Sequence, residues 1–126
     1  GIRLSLFVEP DQVQLEAAKA LGAPVVELHT GTYCNTQFGS LERDKTLAKI
    51  VEASAYAERL GLECHAGHGL GFETVGPIAA IPSIVELNIG HFLIGEAIFG
   101  GLEITISQMR ALLDNSRADI IDDCSP

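Results

Sequence analysis

Three short segments of the sequence combine glycine with histidine or glutamate, and each follows a run of apolar residues. They are Glu27–Gly31 (ELHTG), Gly67–Gly69 (GHG) and Gly90-His91. Histidine suits proton transfer near neutral pH because its imidazole titrates there. Glycine lets backbone N–H groups approach a phosphate closely, and the start of a helix adds positive potential. Together the segments predict a site that binds phosphate and transfers protons.

His68 and His91 each follow a glycine within such a turn. We predict that His68 acts as a general acid or base, the alternative being a turn histidine in solvent. His91 is predicted to bind phosphate rather than to transfer protons, since a short helix begins near it. The glycines Gly67, Gly69 and Gly90 would supply backbone donors; the alternative is that they only form tight turns.

Glu27 and His29 are polar residues in a segment of apolar neighbours. They are two positions apart and therefore lie on one face of a strand, where either can orient the other. A buried carboxylate without a cationic partner is unfavourable. Glu27 is thus predicted either to stabilise positive charge in an intermediate or to form a structural ion pair. His65 is expected to have a structural role, in the core or at the surface.

The elements that position these residues alternate between strand and helix. Branched apolar runs predict four strands, at Ile2–Val8, Pro24–Leu28, Leu62–Ala66 and Ile84–Ile89. Apolar residues at helical spacing, with capping residues, predict helices from Asp11 to Gly22, from Ser40 to Gly61, and over Phe72–Ile81, Phe92–Phe99 and Glu103–Asn115. We predict a loop over His29–Gly39 and an acidic, disordered tail over residues 117–126.

This βα alternation is typical of a parallel sheet that is covered by helices. In such folds ligands bind at the carboxyl ends of the strands. Glu9 and the three glycine-containing segments all fall at those ends. The fold class is therefore predicted to be α/β, with one candidate site at one edge of the sheet.

Composition narrows the classes of function further. The chain has 126 residues, which suggests one domain, and its net charge of −9 argues against binding to a nucleic-acid backbone. Apolar residues form 47% of the sequence, too many for a disordered chain. The sequence contains no run of ~18 apolar residues that would span a membrane, and no secretory leader is expected.

The three cysteines, Cys34, Cys64 and Cys124, are odd in number and form no CxxC pair. This usage favours a reducing cytosol over the disulfide framework of a secreted protein. Cys64 and His65 are adjacent and would lie on opposite faces of a strand, so they are not expected to share a zinc ion. No metal site is predicted.

Three motifs, taken in order, carry a resemblance to a known family. Val26–Gly31 with Tyr33 after it, His65–Leu70, and Glu86–His91 closely resemble segments of the pyridoxine 5'-phosphate synthase family. The resemblance extends from Ile2 to about Leu113 and covers the C-terminal half of the family's sequence. It implies strands five to eight, with their helices, of a TIM (β/α)8 barrel from an enzyme of vitamin B6 synthesis.

The resemblance also implies a reaction and roles for individual residues. The family condenses 1-deoxy-D-xylulose 5-phosphate with 3-amino-2-oxopropyl phosphate, without a metal or organic cofactor, and releases phosphate and water. By motif match, His68 is the proton donor and Glu27 stabilises a cationic transition state. Gly69, Gly90 and His91 match positions that bind the aminoketone phosphate. A cytoplasmic homo-oligomer is expected.

The family's first four strands carry further catalytic residues that have no counterpart here. These are an Asn-x-Asp-His segment, a second histidine, a basic glutamate, and arginine and histidine contacts to the sugar phosphate. We therefore expect the chain to be part of a longer polypeptide and to be inactive alone. Half a barrel leaves two strand edges unpaired, at Ile2–Val8 and Ile84–Ile89, and is expected to expose an apolar interior. We therefore expect it to associate with the absent half, to dimerise or to aggregate.

Two other interpretations stay open at this point. One is a self-associating half barrel that binds phosphate without catalysis. The other is an unrelated flavodoxin-like domain, which would require a fifth strand and a different strand order.

Overall fold

The computed structural model describes residues 1–122, with side-chain surroundings as far as residue 118. The elements follow the chain as β1 (Ser5–Val8), α1 (Gln12–Ala20), β2 (Val25–His29), α2 (Gly31–Cys34), α3 (Leu41–Arg59), β3 (Glu63–Gly67), α4 (Val75–Ala79), β4 (Ile84–Asn88), α5 (His91–Gly100) and α6 (Leu102–Asp122). The four strands form one parallel sheet in the order β1-β2-β3-β4. This sequential order confirms the predicted series of βα units and excludes the flavodoxin-like order within the described residues.

The two long early helices begin at the capping residues that the sequence predicts. The Asp11 side chain accepts hydrogen bonds from the backbone N–H groups of Val13 and Gln14, at the start of α1. The Ser40 hydroxyl accepts from the N–H of Arg43, at the start of α3. Such caps satisfy backbone donors that have no partner inside the helix.

The hydrophobic core lies between one face of the sheet and the helices. Alternate strand residues point into it, among them Val26, Leu28, Cys64 and Ala66. They pack with residues of α1, α3 and α4, including Leu15, Ile50, Ala57 and Ile78. Burial of these apolar side chains holds the helices on the sheet. No helix in residues 1–122 combines the length and apolarity needed to cross a membrane.

The loop predicted over His29–Gly39 is confirmed at Thr30 and after Cys34, but it was wrong over Gly31–Cys34, which form the single turn of α2. Tyr33 in that turn is buried, and its hydroxyl oxygen accepts a 2.8 Å hydrogen bond from Arg43 Nη2. The Arg43 guanidinium also lies 4.3 Å from the centre of the Tyr33 ring. Tertiary packing therefore stabilises this turn. The turn is too short to show a helical period in the sequence.

Other predicted boundaries also needed correction. The helix predicted over Phe72–Ile81 is limited to α4, where Pro77 is tolerated because it lies in the first turn. β1 starts at Ser5 rather than Ile2. The predicted tail from Arg117 continues α6 as far as Asp122, and the Arg117 side chain donates a hydrogen bond to the Ile84 carbonyl. Residues 123–126 of that tail lie outside the described residues.

The other face of the sheet has no helix over it within the described residues, and it carries polar side chains. One row across the four strands consists of Phe7, Glu27, His65 and Glu86. A register shift between β3 and β4 leaves Val85 as an extra residue, and its side chain is exposed. β1 and β4 each pair along one edge only. The expectation of an open half barrel is confirmed, but the expectation of an apolar exposed interior was wrong, because three of the four residues in this row are polar.

Candidate functional site

An open cleft of about 750 Å³ lies at the carboxyl ends of the strands. Its walls come from all four strand ends and from the start of α5. All five predicted site residues line it, namely Glu27, His68, Gly69, Gly90 and His91. Phe7 and Asn88 also line the cleft. The sheet therefore brings together residues as far apart in the sequence as Phe7 and His91.

The turn after β3 holds His68 in an unusual backbone conformation. Its φ angle is 79°, and it is the single non-glycine residue with positive φ among those described. Thr30, which is fully buried, fixes this turn from β2: its hydroxyl lies 2.7 Å from the carbonyl oxygens of both Gly67 and His68. Because left-handed backbone is unfavourable for most side chains, the fold supports a strained position for the predicted proton donor.

Glu27 reaches across β3 towards β4. Its Oε2 accepts a 2.8 Å hydrogen bond from Asn88 Nδ2. A Cβ placed on Gly67 would lie 2.3 Å from Glu27 Oε1, so the carboxylate occupies space that only glycine leaves free. Of the two roles predicted for Glu27, a structural ion pair is absent among the described residues, since its partner is a neutral amide.

Sequence reasoning did not include Asn88 in the site, and it predicted backbone donors or a tight turn at Gly67 rather than space for the Glu27 carboxylate. The available signal was the polar side chain of Asn88 within a strand of apolar neighbours. Its contact with Glu27 depends on the register of β2, β3 and β4, which no local pattern specifies.

His29 lies beside His68 but is oriented by a different residue from the one predicted. Its Nδ1 is 2.7 Å from Glu9 Oε1, at the end of β1, and it makes no hydrogen bond to Glu27. The centres of the His29 and His68 rings are 4.9 Å apart. The ring of Phe7 meets His29 edge-on, at 5.2 Å between centres. The prediction that Glu27 and His29 orient each other was wrong, because Glu27 turns towards β4.

The first turn of α5 provides backbone donors at the cleft. Gly90 is the N-cap and His91 is the first residue of this ten-residue helix. The first N–H groups of a helix have no partner within it and carry partial positive charge. A Cβ on Gly90 would meet nothing within 4 Å, so its backbone is open to an approaching group. The predicted helix start near His91 is confirmed, and the arrangement suits an anion.

His65 belongs to a separate group of charges, earlier along the strands. Its ring is buried, with Nε2 at 2.8 Å from Glu63 and Nδ1 at 3.4 Å from Glu86. Arg3 binds the other oxygen of Glu63 at 2.5 Å. The hydrogen bond from Arg3, and then that from His65, lower the pKa of Glu63. The expectation of a structural role for His65 agrees with this placement.

Cys34 and Cys64 are free thiols. Burial raises the pKa of the Cys64 thiol to about 12 and also raises the pKa of the half-buried Cys34. Among residues 1–122, no three metal-ligating side chains are grouped closely enough to hold an ion. Cys124 lies outside the described residues.

Cys64 is expected to resist alkylation in the folded chain. A pKa of about 12 leaves about a thousandfold less thiolate near neutral pH than an ordinary cysteine has, and burial restricts access as well. Iodoacetamide followed by peptide mass spectrometry should leave Cys64 unmodified in buffer and label it fully in denaturant. Equal labelling rates in the two conditions would contradict this burial.

Comparisons with known proteins agree on one family. The family model described as "Pyridoxal phosphate biosynthesis protein PdxJ" matches residues 1–115. The pyridoxine 5'-phosphate synthase of Rhodospirillum rubrum is 61% identical over 114 residues, which are 90% of this chain and 45% of that protein. The Zymomonas mobilis protein of the same name is 58% identical over 119 residues, covering 94% and 46%.

A third relative, the pyridoxine 5'-phosphate synthase of Caulobacter vibrioides, is 54% identical over 122 residues, which are 95% of this chain and 48% of that protein. The chain thus spans about half the length of the curated relatives it matches.

Proposed function

Since the chain belongs to the PdxJ family of pyridoxal phosphate biosynthesis proteins, we propose that it forms half of the active site of a pyridoxine 5'-phosphate synthase. Its four βα units are about half of the family's TIM barrel. The proposed reaction joins 1-deoxy-D-xylulose 5-phosphate to 3-amino-2-oxopropyl phosphate, without a metal or organic cofactor. It closes the pyridine ring and releases phosphate and water, and the enzyme is a transferase.

The observation that carries the proposal is the convergence of five residues on one cleft. A side chain that donates a proton must be accessible to the ligand, and the imidazole of His68 is exposed at the turn after β3. Stabilisation of a cationic transition state requires a fixed carboxylate, and Asn88 holds Glu27 in place. These two groups lie on neighbouring strands of one wall of the cleft.

The phosphate of the aminoketone, and later that of the product, is assigned to Gly69 in the turn after β3 and to the start of α5. Gly69 has a φ of 82°, and a Cβ there would lie 3.1 Å from Cys34 Cβ, so the turn needs glycine. Gly90 and His91 add the open N-terminus of α5. A phosphate bound by these N–H groups would place the rest of the substrate towards His68 and Glu27.

The inner face of the sheet supports a proposal about partners. Phe7, Glu86 and Asn88 are exposed on this face, and β1 and β4 each have an unpaired edge. A closed barrel would cover all of these groups. We propose that the family's other four strands, or else the sheet of a second copy of this chain, supply that cover within a homo-oligomer. The free thiols Cys34 and Cys64 support a cytosolic location.

Binding of the product provides the first test. Titration of the chain with pyridoxine 5'-phosphate should shift the backbone amide NMR signals of Gly69, Gly90 and His91 in a saturable manner. Inorganic phosphate should shift the same signals more weakly, because it lacks the contacts of the pyridine ring. A titration that leaves these three signals unmoved would overturn the assignment of the phosphate site.

Measurements of turnover and of self-association distinguish the proposed enzyme from a second candidate function. This second candidate is a non-catalytic half barrel that self-associates through its open edges. The chain alone is expected to form no product from the two substrates, and a complete synthase that includes it is expected to form product. A complete assembly that binds product but never forms it would favour the second candidate. Sedimentation of the chain measures self-association directly.

A further inference from the structure

The imidazole of His68 is positioned by neighbouring rings. Within the described residues it makes no side-chain hydrogen bond, yet it contacts two rings from other strands. His29 is the nearer, with centres 4.9 Å apart and planes tilted by 57°. Phe7 lies further away, at 6.3 Å. The direction in which His68 can deliver a proton therefore depends on where the His29 ring stands.

The position of His29 is fixed in turn by Glu9. A carboxylate 2.7 Å from Nδ1 accepts the Nδ1–H hydrogen bond, which selects the tautomer whose Nε2 carries no proton. Glu9 is itself anchored, because its backbone N–H donates to the Gln14 side chain and its carbonyl accepts from the N–H of Asp11. The end of β1 and the start of α1 thus fix the backbone of Glu9, from which the side chain reaches His29.

Gly31 supplies the space in which the two imidazoles meet. A Cβ on Gly31 would lie 2.6 Å from Nε2 of His29 and 2.9 Å from Cδ2 of His68. Both distances are shorter than real Cβ contacts, so this position admits the two rings only as glycine. The local structure on three strands is therefore arranged around the pair of rings.

We propose that Glu9 and His29 are positioning residues for His68. Glu9 locks the tautomer and plane of the His29 ring, and that ring orients the imidazole of His68 towards the cleft. The inference rests on the proposed function, in which His68 donates the proton. Neither Glu9 nor His29 needs to touch the substrate, so their loss should affect the chemical step more than binding.

The tautomer can be measured on the chain itself, without any activity. Long-range hydrogen–nitrogen NMR spectra of the labelled chain, recorded at alkaline pH where imidazoles are neutral, should show the Nδ1–H tautomer for His29. Glu9→Ala should abolish that signature and shift the ring signals of His68. An Nε2–H tautomer at His29 in the unsubstituted chain would overturn the proposal.

Kinetics of a complete synthase that includes this chain provide the second measurement. Glu9→Ala and His29→Asn should lower kcat by about 10- to 100-fold, the effect of a misplaced reacting group, with KM unchanged. Glu9→Gln should retain most of the rate because its amide oxygen still accepts the hydrogen bond. Glu58→Ala, which removes an exposed carboxylate on α3, is the matched control and should behave as wild type.

His68→Asn, measured in parallel, distinguishes a failure of the proposed role of His68 from a failure of the positioning roles of Glu9 and His29. If this variant keeps the wild-type rate, the proposed function of His68 fails and the inference fails with it. If it is slow while Glu9→Ala and His29→Asn keep the wild-type kcat, only the inference is overturned.

Discussion

Replacement of His68 by asparagine, in a complete synthase that includes this chain, is expected to lower kcat by about 10²- to 10⁴-fold. The variant removes the group proposed to donate a proton during ring closure. Asparagine is the informative substitution because it tolerates the left-handed backbone that His68 adopts at φ 79°. The turn, and with it the phosphate site at Gly69, should therefore persist.

Two measurements check that the effect is chemical. The KM for the aminoketone phosphate should change little, since Gly69, Gly90 and His91 are untouched. The thermal unfolding midpoint should also stay close to that of the wild type. A variant that keeps its full rate would remove His68 from the proton-donor role, whereas the phosphate site would remain as a separate proposal.

Gly67→Ala is expected to have the second largest effect on kcat. It moves the Glu27 carboxylate while leaving that residue a glutamate. The new Cβ would lie 2.3 Å from Glu27 Oε1 and 2.9 Å from the Asn88 carbonyl, and that carbonyl belongs to the backbone of β4. The side chain of Glu27 must then leave its hydrogen bond with Asn88. We expect kcat to fall by about 10²- to 10³-fold, as when one preorganised electrostatic contact is removed.

The same variant should lower the free energy of unfolding by about 1–3 kcal/mol, the usual cost of overpacking. Gly95→Ala in α5 is the matched control, since a Cβ there meets nothing within 4 Å. It should keep the wild-type rate and gain about 0.5–1 kcal/mol, because alanine is favoured over glycine inside a helix. Denaturant unfolding and initial rates measure both quantities.

Glu27→Gln separates loss of the carboxylate from damage to the sheet. Glutamine keeps the size of the side chain and can still meet Asn88, so the stability should be retained while kcat falls. Wild-type kcat in both Gly67→Ala and Glu27→Gln would contradict a role for Glu27 in the transition state.

Local sequence patterns predicted the order of elements well because each signal lies within a few residues. Asp11 and Ser40 are capping residues directly before helical spacing, and the structure uses both as caps. The turn of α2 was not predicted because it is stabilised by a contact between Tyr33 and Arg43, two residues that are ten positions apart in the sequence. The end of α6 was also missed: Arg117 lies within this helix, and its side chain donates a hydrogen bond to the Ile84 carbonyl on β4.

The residues that line the cleft could be predicted from the sequence, whereas the contacts between their side chains could not. The glycines beside His68 and His91 predicted that these segments line one site, and the structure places all four residues, His68, Gly69, Gly90 and His91, in one cleft. Glu27 is a possible partner of His29 by sequence because the two share a strand face, whereas in the structure Glu9 reaches His29 from the neighbouring strand end. Pairing of side chains across parallel strands depends on register, which emerges only when the sheet forms.

The sequential strand order also has a consequence for how this chain folds. Each strand pairs with the strand that precedes it along the chain, so every pairing closes a loop of one βα unit. Closing a loop of one βα unit has a smaller entropic cost than pairing strands from distant parts of the chain. The sheet can therefore grow one strand at a time during synthesis, with the Glu27–Asn88 contact completed only when the last strand is added.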